Sequence, residues 1–196
     1  MQASISKTNL QGCVPPMSDE FLDRLRETIR TVPDFPIEGI MFRDITPVLS
    51  QPGLLSEVTN RFAEDLEQLN WSPDVIVGPE ARGFIFGPLL ASKLDIAFVP
   101  IRKPGKLPAA TSRVEYTLEY GSNTLEIHQD ALVSGQRVVI IDDLLATGGT
   151  ISACSELCQA AGAEVLGALF LIELKGLQAR SSIAPIQAHA LLEFPA

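Results

Sequence analysis

Cysteine and histidine are scarce in this sequence, which has three cysteines and two histidines among 196 residues. Cys13, Cys154 and Cys158 cannot all pair, and the last two are four residues apart on one face of a predicted helix. His128 and His189 lie outside any spacing typical of metal ligands. We therefore expect small core cysteines in a reducing compartment, rather than a disulfide or a metal centre.

Long hydrophobic runs are also absent from the sequence. No apolar segment approaches the roughly 20 residues that a membrane-spanning helix requires. The N-terminal segment Met1–Gln11 is polar and lacks the basic start and apolar core of a secretion signal. These features predict a cytoplasmic protein without a membrane partner.

Basic residues are outnumbered, with 15 Lys and Arg against 24 Asp and Glu, for a net charge of −9. Nucleic acids and anionic membranes bind proteins through broad basic surfaces, so neither is expected as a partner. Any anionic ligand has to be held by a local group of donors. The Walker fingerprint, in which Gly-Lys-Ser/Thr follows a glycine-spaced loop, is missing, and this argues against nucleoside triphosphate hydrolysis.

The apolar content is sufficient for one sizeable core, because 46% of the residues are hydrophobic. Residues 1–17 have no apolar periodicity and contain Pro15-Pro16, so we predict a flexible N-terminal tail, with Met17 as a candidate alternative start. Residues 18–196 are predicted to form a single domain.

Helical and strand patterns alternate along this domain. Apolar residues at helical spacing predict helices over Ser18–Ile29, Gly53–Leu69, Phe84–Leu94 and Gly149–Ala161. Short apolar runs predict buried strands at Val75–Val77, Ile96–Ile101, Val138–Ile141 and Val165–Ile172. The alternation predicts an α/β fold with a mostly parallel central sheet flanked by helices. The polar segment at about 103–130 interrupts this pattern, and we predict that it forms a flap, or hood, standing off the sheet.

A strand, two acids, a small-residue turn and a helix follow one another over residues 138–150. Ligands of open α/β sheets bind beyond the carboxyl ends of the strands, where Asp142 and Asp143 fall. Gly148 and Gly149 allow backbone N–H groups to converge on an anion at the start of the helix, and Thr147 and Thr150 add hydroxyls. Taken separately, the acids fit any helix start and the glycines any turn. Their order as a block favours a cradle for a phosphate monoester.

Two further segments offer cations to an anion. Arg82 follows a strand within the turn Gly78–Phe84, where its planar guanidinium matches phosphate oxygens; the alternative is a surface arginine that caps a turn. Residues 102–108 hold the densest basic cluster of the chain, with Lys103 and Lys106. The alternative for this cluster is a solvated loop.

The 138–150 block resembles the phosphoribosyl pyrophosphate motif of the type I phosphoribosyltransferases. Other blocks, in the same order, resemble the adenine-specific members of that family, and together they cover essentially everything after residue 18. These blocks are Phe35-Pro36, Gly39, Phe42–Pro47, Arg82–Phe84, Arg102–Pro108 and Leu118–Gly121. The resemblance implies transfer of the phosphoribosyl group of phosphoribosyl pyrophosphate to adenine, giving AMP and pyrophosphate in purine salvage.

The resemblance also implies which residues hold the donor. Two acids, Asp142 and Asp143, contact the ribose hydroxyls. The turn binds the 5′-phosphate, through Ala146, Thr147, Gly148, Gly149 and Thr150. The pyrophosphate ligands are Arg82, Lys103 and Lys106, and the peptide bond between Glu80 and Ala81 is the candidate for a strained bond in their loop. The resemblance further implies Mg²⁺ held mainly by the substrate, with no protein ligand directly assigned, and a homodimer.

The same resemblance assigns the adenine site and the catalytic residue. Phe42 stacks on adenine, and backbone groups at Met41 and Arg43 read its edge. Glu119 in the flap acts on a purine ring nitrogen as the catalytic residue, with Tyr120 shielding it. Two departures from the family pattern, the long tail and Ala109-Ala110, leave the mobility of the flap and the role of the tail open.

Two rival functions remain at the level of sequence. One is a phosphoribosyltransferase for another base, such as xanthine or orotate. The other is a regulator that keeps the phosphoribosyl pyrophosphate cradle without catalysis; it predicts a separate DNA-binding segment, for which the 17-residue tail, with Lys7 as its one charged side chain, offers no candidate.

Overall fold

A computed structural model describes residues 20–117 and 122–196. Its helices are α1 (Glu20–Thr28), α2 (Thr46–Ser50), α3 (Leu54–Gln68), α4 (Gly83–Leu94), α5 (Gly149–Ala160) and α6 (Ala179–Ser182). Its strands are β1 (Arg30–Val32), β2 (Phe42–Asp44), β3 (Val75–Pro79), β4 (Ala97–Ile101), β5 (Thr111–Thr117), β6 (Ser122–His128), β7 (Arg137–Leu145), β8 (Glu164–Lys175) and β9 (Ala188–Pro195). In this part of the chain no helix is both long and apolar enough to cross a bilayer.

Five parallel strands form the central sheet, in the order β4-β3-β7-β8-β9. The predicted α/β fold with a mostly parallel sheet is therefore confirmed. Both faces of such a sheet are covered, which explains why its inner strands are apolar runs. Because the strands are parallel, the carboxyl ends of β3, β4 and β7 meet at one edge.

The two faces of the sheet carry two separate cores. Along β7, Val139 and Ile141 face the core packed with α1, α3 and α4, whereas Val138 and Ile140 face the core packed with α5 and β6. All four side chains are fully buried. Alternation along one strand thus determines which helices lie on each side. The strand continues through Asp142 and Asp143 to Leu145.

Outside the central sheet, β5 and β6 pair in an antiparallel hairpin whose register runs from Thr111 opposite His128 to Thr117 opposite Ser122. This hairpin lies within the segment predicted as a flap. Leu125 and Ile127 of β6 are buried in the α5-side core, so the base of the hairpin is anchored to the sheet.

Two β structures were absent from the sequence predictions, as were the short helices α2 and α6. β1 and β2 pair in a second antiparallel unit, here called the small sheet, in a segment that the sequence indicated only as irregular. β9 adds a fifth strand parallel to β8, although the sequence predicted none there. Predicted strands were also too short, since β3 extends to Pro79 and β8 to Lys175.

Trp71 follows α3 and packs against β8. A Cβ atom added at Gly167 of β8 would lie 2.1 Å from the indole ring. Only glycine lets the ring lie this close to the backbone.

Candidate active site

A pocket of about 410 Å³ opens at the carboxyl edge of β3 and β7, with the β5–β6 hairpin on its other side. Its lining includes Arg82, Lys103, Tyr116, Asp142, Asp143 and Thr150. Five of these six residues were predicted from sequence to hold the donor, although they come from three separate segments. The fold therefore brings the two predicted anion-binding turns and the acid pair into one cavity.

The partly buried Asp142 and the buried Asp143 form an acid pair near the carboxyl end of β7. The backbone N–H of Asp143 donates to Asp142 Oδ1 at 2.9 Å, and Arg82 Nε lies 3.0 Å from Asp143 Oδ2. Burial, and then the charge of Asp143, raise the pKa of Asp142 to about 8. Burial also raises the pKa of Asp143, although the Arg82 guanidinium opposes that change. Burial and the neighbouring charge thus oppose full ionisation of the pair, and a cationic ligand would offset that effect.

The turn after β7 begins a helix directly at the pocket. Gly148 has a φ of 90°, and a Cβ there would lie 2.7 Å from Ile183 Cγ2 and 3.1 Å from the Ala179 carbonyl oxygen. In the described structure no side chain caps α5, so the N–H groups of its first turn are available to an anion. Thr150 Oγ1 lies 3.4 Å from Tyr116 Oη of the hairpin. Ala146 and Thr147 occupy the same turn, with Thr147 exposed.

The loop between β3 and α4 places Arg82 beside the acid pair. Its Glu80–Ala81 peptide bond, which the sequence singled out, is cis. A Cβ at Gly83 would lie 2.8 Å from the Ile141 carbonyl oxygen, so this loop can pack against β7 only with glycine there. α4 starts at the same glycine, which directs its first N–H groups toward the loop.

Glu80 connects this loop to the basic segment after β4. Its Oε2 accepts hydrogen bonds from Arg102 Nε at 3.0 Å and from the Lys103 backbone N–H at 3.3 Å. The Arg102 hydrogen bond is the main reason that the pKa of Glu80 is lowered. Sequence reasoning missed this role, although an acid inside an anion-binding turn was a signal that could have indicated it.

The two predicted pyrophosphate lysines are placed differently. Lys103 lines the pocket, whereas the side chain of Lys106 is exposed and does not line it. The buried Glu126 of β6 accepts a hydrogen bond from the Gly105 backbone N–H at 3.2 Å, which fixes the loop between the lysines.

The predicted adenine segment lies on the small sheet and does not line that pocket. The Phe42 ring meets Phe35 edge to face, with centroids 5.0 Å apart. Met41 is exposed, while the Arg43 side chain turns away to the carboxyl end of β9. The predicted catalytic Glu119, its neighbour Tyr120 and the tail, 1–17, lie outside the described residues.

Comparisons with known proteins bear on the same elements. A family model for the phosphoribosyl transferase domain matches residues 45–191. The adenine phosphoribosyltransferase of Francisella tularensis subsp. tularensis is 49% identical over 173 residues, which cover 88% of this chain and 99% of that protein. The chain belongs to the adenine phosphoribosyltransferase family. The family resemblance predicted from the motif blocks is thus confirmed.

Solved structures of this family agree with the fold described above. Adenine phosphoribosyltransferase from Thermoanaerobacter pseudethanolicus is 48% identical, with a TM-score of 0.85, and the match covers 88% of this chain and 99% of that one. The Saccharomyces cerevisiae enzyme, which was crystallised with adenine and an imino-altritol bisphosphate, is 39% identical with the same TM-score of 0.85 and the same coverage of 88% and 99%. The type I fold predicted for this chain is confirmed by both.

Proposed function

We propose that the pocket between β3, β7 and the hairpin is where this chain transfers the phosphoribosyl group of phosphoribosyl pyrophosphate to adenine, giving AMP and pyrophosphate. The observation that carries this assignment is the convergence of Arg82, Lys103 and the Asp142–Asp143 pair on one cavity. A donor with a phosphate at one end and a pyrophosphate at the other requires separate anion sites across a polar sugar site. The two helix starts and the acid pair between them meet that requirement.

The donor roles follow from position in the pocket. The turn Ala146–Thr150 binds the 5′-phosphate through backbone N–H groups and hydroxyls, and the acids accept hydrogen bonds from the ribose hydroxyls. Arg82 and Lys103 neutralise the charge that develops on pyrophosphate as the C1–oxygen bond breaks. Lys106 is close in sequence and requires a movement of its loop to reach the leaving group.

The base binds at the small sheet, beyond the residues that line the pocket. Phe42 stacks on the adenine ring, while backbone groups at Met41 and Arg43 bind its edge. Glu119 acts on a ring nitrogen of adenine as the catalytic residue. Closure of the flap around Glu119 keeps water from the ribose carbon while pyrophosphate leaves.

Magnesium fits the oxygen donors of this pocket. Among the described residues, no group of three histidine, cysteine or acidic side chains forms a dedicated metal centre. Asp142 and Asp143 offer adjacent carboxylate oxygens, and a hard cation held mainly by the donor would favour their ionised form against the burial and the neighbouring charge that raise the pKa of Asp142. Mg²⁺ held there would supply neutralisation of the charge on the pyrophosphate. Asp142 and Asp143 orient the ribose that carries it.

We propose further that the protein acts in the cytoplasm as a homodimer. The family resemblance supports the dimer, and the composition supports the location. Sedimentation of the purified protein measures its oligomeric state directly, with a mass of twice 21.2 kDa expected.

The decisive experiment is incubation of the protein with phosphoribosyl pyrophosphate, Mg²⁺ and one base at a time. We expect AMP and pyrophosphate with adenine, and little product with hypoxanthine, guanine, xanthine or orotate. Product formed only with another base would show that this base, and not adenine, is the acceptor. Tight binding of the donor without product from any base would support the non-catalytic regulator instead.

The role of Glu119 is tested by Glu119→Leu. We expect turnover to fall much more than donor affinity, because the side chain acts on the base and not on the pyrophosphate. Glu115→Gln, an exposed acid on the same hairpin, is the matched control and retains turnover. Unchanged turnover in Glu119→Leu would refute the role.

A further inference from the structure

Two arginines from different elements contact the carboxyl end of β9. Arg43 Cζ lies 4.7 Å from the centroid of the Phe194 ring, and Arg26 Cζ lies 5.0 Å from it. Arg26 Nη1 also donates to the Glu193 carbonyl oxygen at 2.8 Å, and Arg43 Nη2 donates to that of Pro195 at 3.2 Å. The end of the chain is therefore joined both to α1 and to the small sheet.

Arg43 is the residue through which β9 reaches the small sheet. Its Nη1 donates to Thr31 Oγ1 at 2.5 Å, across the β1–β2 pair in which the two residues are opposite each other. Arg43 Nε is buried and has no hydrogen-bond partner among the residues that the structure describes. Two hydrogen bonds and one aromatic face thus determine where the guanidinium lies, and its orientation fixes the backbone of β2.

The small sheet depends on such contacts because it is not part of the central sheet. Among the described strands, β1 and β2 pair only with each other, over three residues each. A two-stranded unit of this size is marginal without packing against the rest of the protein. The Phe194 ring supplies an apolar surface and a cation–π partner for that packing.

We propose that Phe194 is a positioning residue for adenine: through Arg43, its ring sets the position of the backbone that binds the edge of the base. This inference rests on the proposed adenine site at Met41–Arg43. Phe194 is not among the residues that line the donor pocket, so its effect should be confined to the base half of the substrate. The guanidinium of Arg43 is occupied by β9 and Thr31, and only the backbone of Arg43 recognises adenine.

The test compares Phe194→Leu, which keeps an apolar side chain but loses the aromatic face, with Phe194→Tyr, which keeps the aromatic face. Titration calorimetry of the full chain measures the affinity for AMP, which occupies both halves of the site, and for ribose 5-phosphate, which occupies only the cradle. We expect Phe194→Leu to weaken AMP binding about fivefold and to leave ribose 5-phosphate binding within about twofold. Phe194→Tyr should restore AMP binding to the wild-type value.

The matched control is Glu193→Gln, which removes the exposed ion pair with Lys175 but keeps the backbone carbonyl that Arg26 binds. It should change neither affinity. Steady-state kinetics of Phe194→Leu should show a raised KM for adenine at an unchanged KM for phosphoribosyl pyrophosphate.

Three outcomes would overturn the inference. Equal losses of AMP and ribose 5-phosphate affinity in Phe194→Leu would indicate a general structural role, and no loss would remove the role altogether. Failure of Phe194→Tyr to restore AMP binding would show that the aromatic face is not responsible. Wild-type protein that binds neither ligand would instead refute the proposed function, and the inference with it.

Discussion

Glu80 Oε2 accepts a hydrogen bond from Arg102 Nε at 3.0 Å, which joins the loop after β3 to the segment after β4 beside the pocket. The negative charge of Glu80 repels pyrophosphate and so opposes its binding. Its hydrogen bonds to Arg102 and to the Lys103 backbone fix the cation-bearing segment in position. The two effects of Glu80 on pyrophosphate therefore have opposite signs.

Glu80→Gln separates these effects. If charge dominates, the substitution strengthens pyrophosphate binding; we expect it to weaken binding about three- to tenfold, because the amide is a poorer acceptor for two donors. Calorimetric titration with magnesium pyrophosphate measures the change. Glu115→Gln, an exposed acid on β5, controls for the loss of a negative charge, and tighter binding in Glu80→Gln would contradict the positioning role.

Asp142→Asn should stabilise the protein by an amount that depends on pH. The pKa of Asp142 is raised to about 8, whereas an unfolded aspartate ionises near 3.8, so the acid destabilises the fold increasingly as the pH rises between these values. We expect similar melting temperatures at pH 4 and a variant more stable by at least about 1 kcal/mol at pH 8. Scanning calorimetry at several pH values measures the difference.

The exposed substitution Asp130→Asn is the control for that series and should give no such trend. Asp142→Asn is also expected to lose activity, since the acid belongs to the ribose site. A variant less stable than the wild type at pH 8 would contradict the prediction that Asp142 destabilises the fold at this pH.

Gly148→Ala tests the phosphate cradle. The added methyl group would lie 2.7 Å from Ile183 Cγ2, and the φ of 90° is unfavourable for any side chain, so the turn has to move. We expect at least about a tenfold loss of affinity for ribose 5-phosphate. Gly135→Ala is the matched control: its φ is 85°, but nothing lies within 4 Å of the added atom.

Both glycine variants should lose stability by about 1 kcal/mol through the backbone alone. Only Gly148→Ala should lose ligand affinity. Equal affinity for ribose 5-phosphate in the two variants would show that the phosphate binds elsewhere.

Asp65 of α3 is predicted to support the sheet without affecting catalysis. This buried acid lies 2.8 Å from His189 Nε2 on β9 and 2.8 Å from Arg61 Nε. Burial raises its pKa, but the hydrogen bonds from His189 and Arg61 outweigh that effect and lower it. Its contribution to stability is thus present at neutral pH and is lost as the pH falls below about 4.

Asp65→Asn should cost about 2 kcal/mol of unfolding free energy at pH 7, as measured by urea denaturation, with unchanged kinetic constants. The exposed neighbour Glu64→Gln is the control and should cost little. The difference between Asp65→Asn and wild type should shrink in acid, and a constant difference down to pH 3 would contradict the ionised role of Asp65.

The parts of the fold that could be predicted from sequence are those whose determinants are contiguous. The strand, the acids, the turn and the helix of residues 138–150 follow one another directly, so each supports the interpretation of the next. The Arg82 turn is similar, because a strand precedes it and a helix begins at Gly83.

What escaped prediction depends on pairing between distant segments. The apolar run at the centre of β9 is short, Ala190–Leu192 between His189 and Glu193, and the place of β9 in the sheet is set by β8. The small sheet joins Thr31 to Arg43 across an intervening loop, which no local periodicity indicates. The link from Arg43 to Phe194 spans most of the chain and has no local signal at all.

The packing of Trp71 on Gly167 provides an intrinsic fluorescent probe of folding. The chain has one tryptophan, and Gly167 pairs with Val139, three residues before the acid pair on β7 and hence about 10 Å from it along the strand. The intrinsic fluorescence of this single indole therefore follows the packing of α3 on β8 at the middle of the sheet. Unfolding can be recorded optically, without a label.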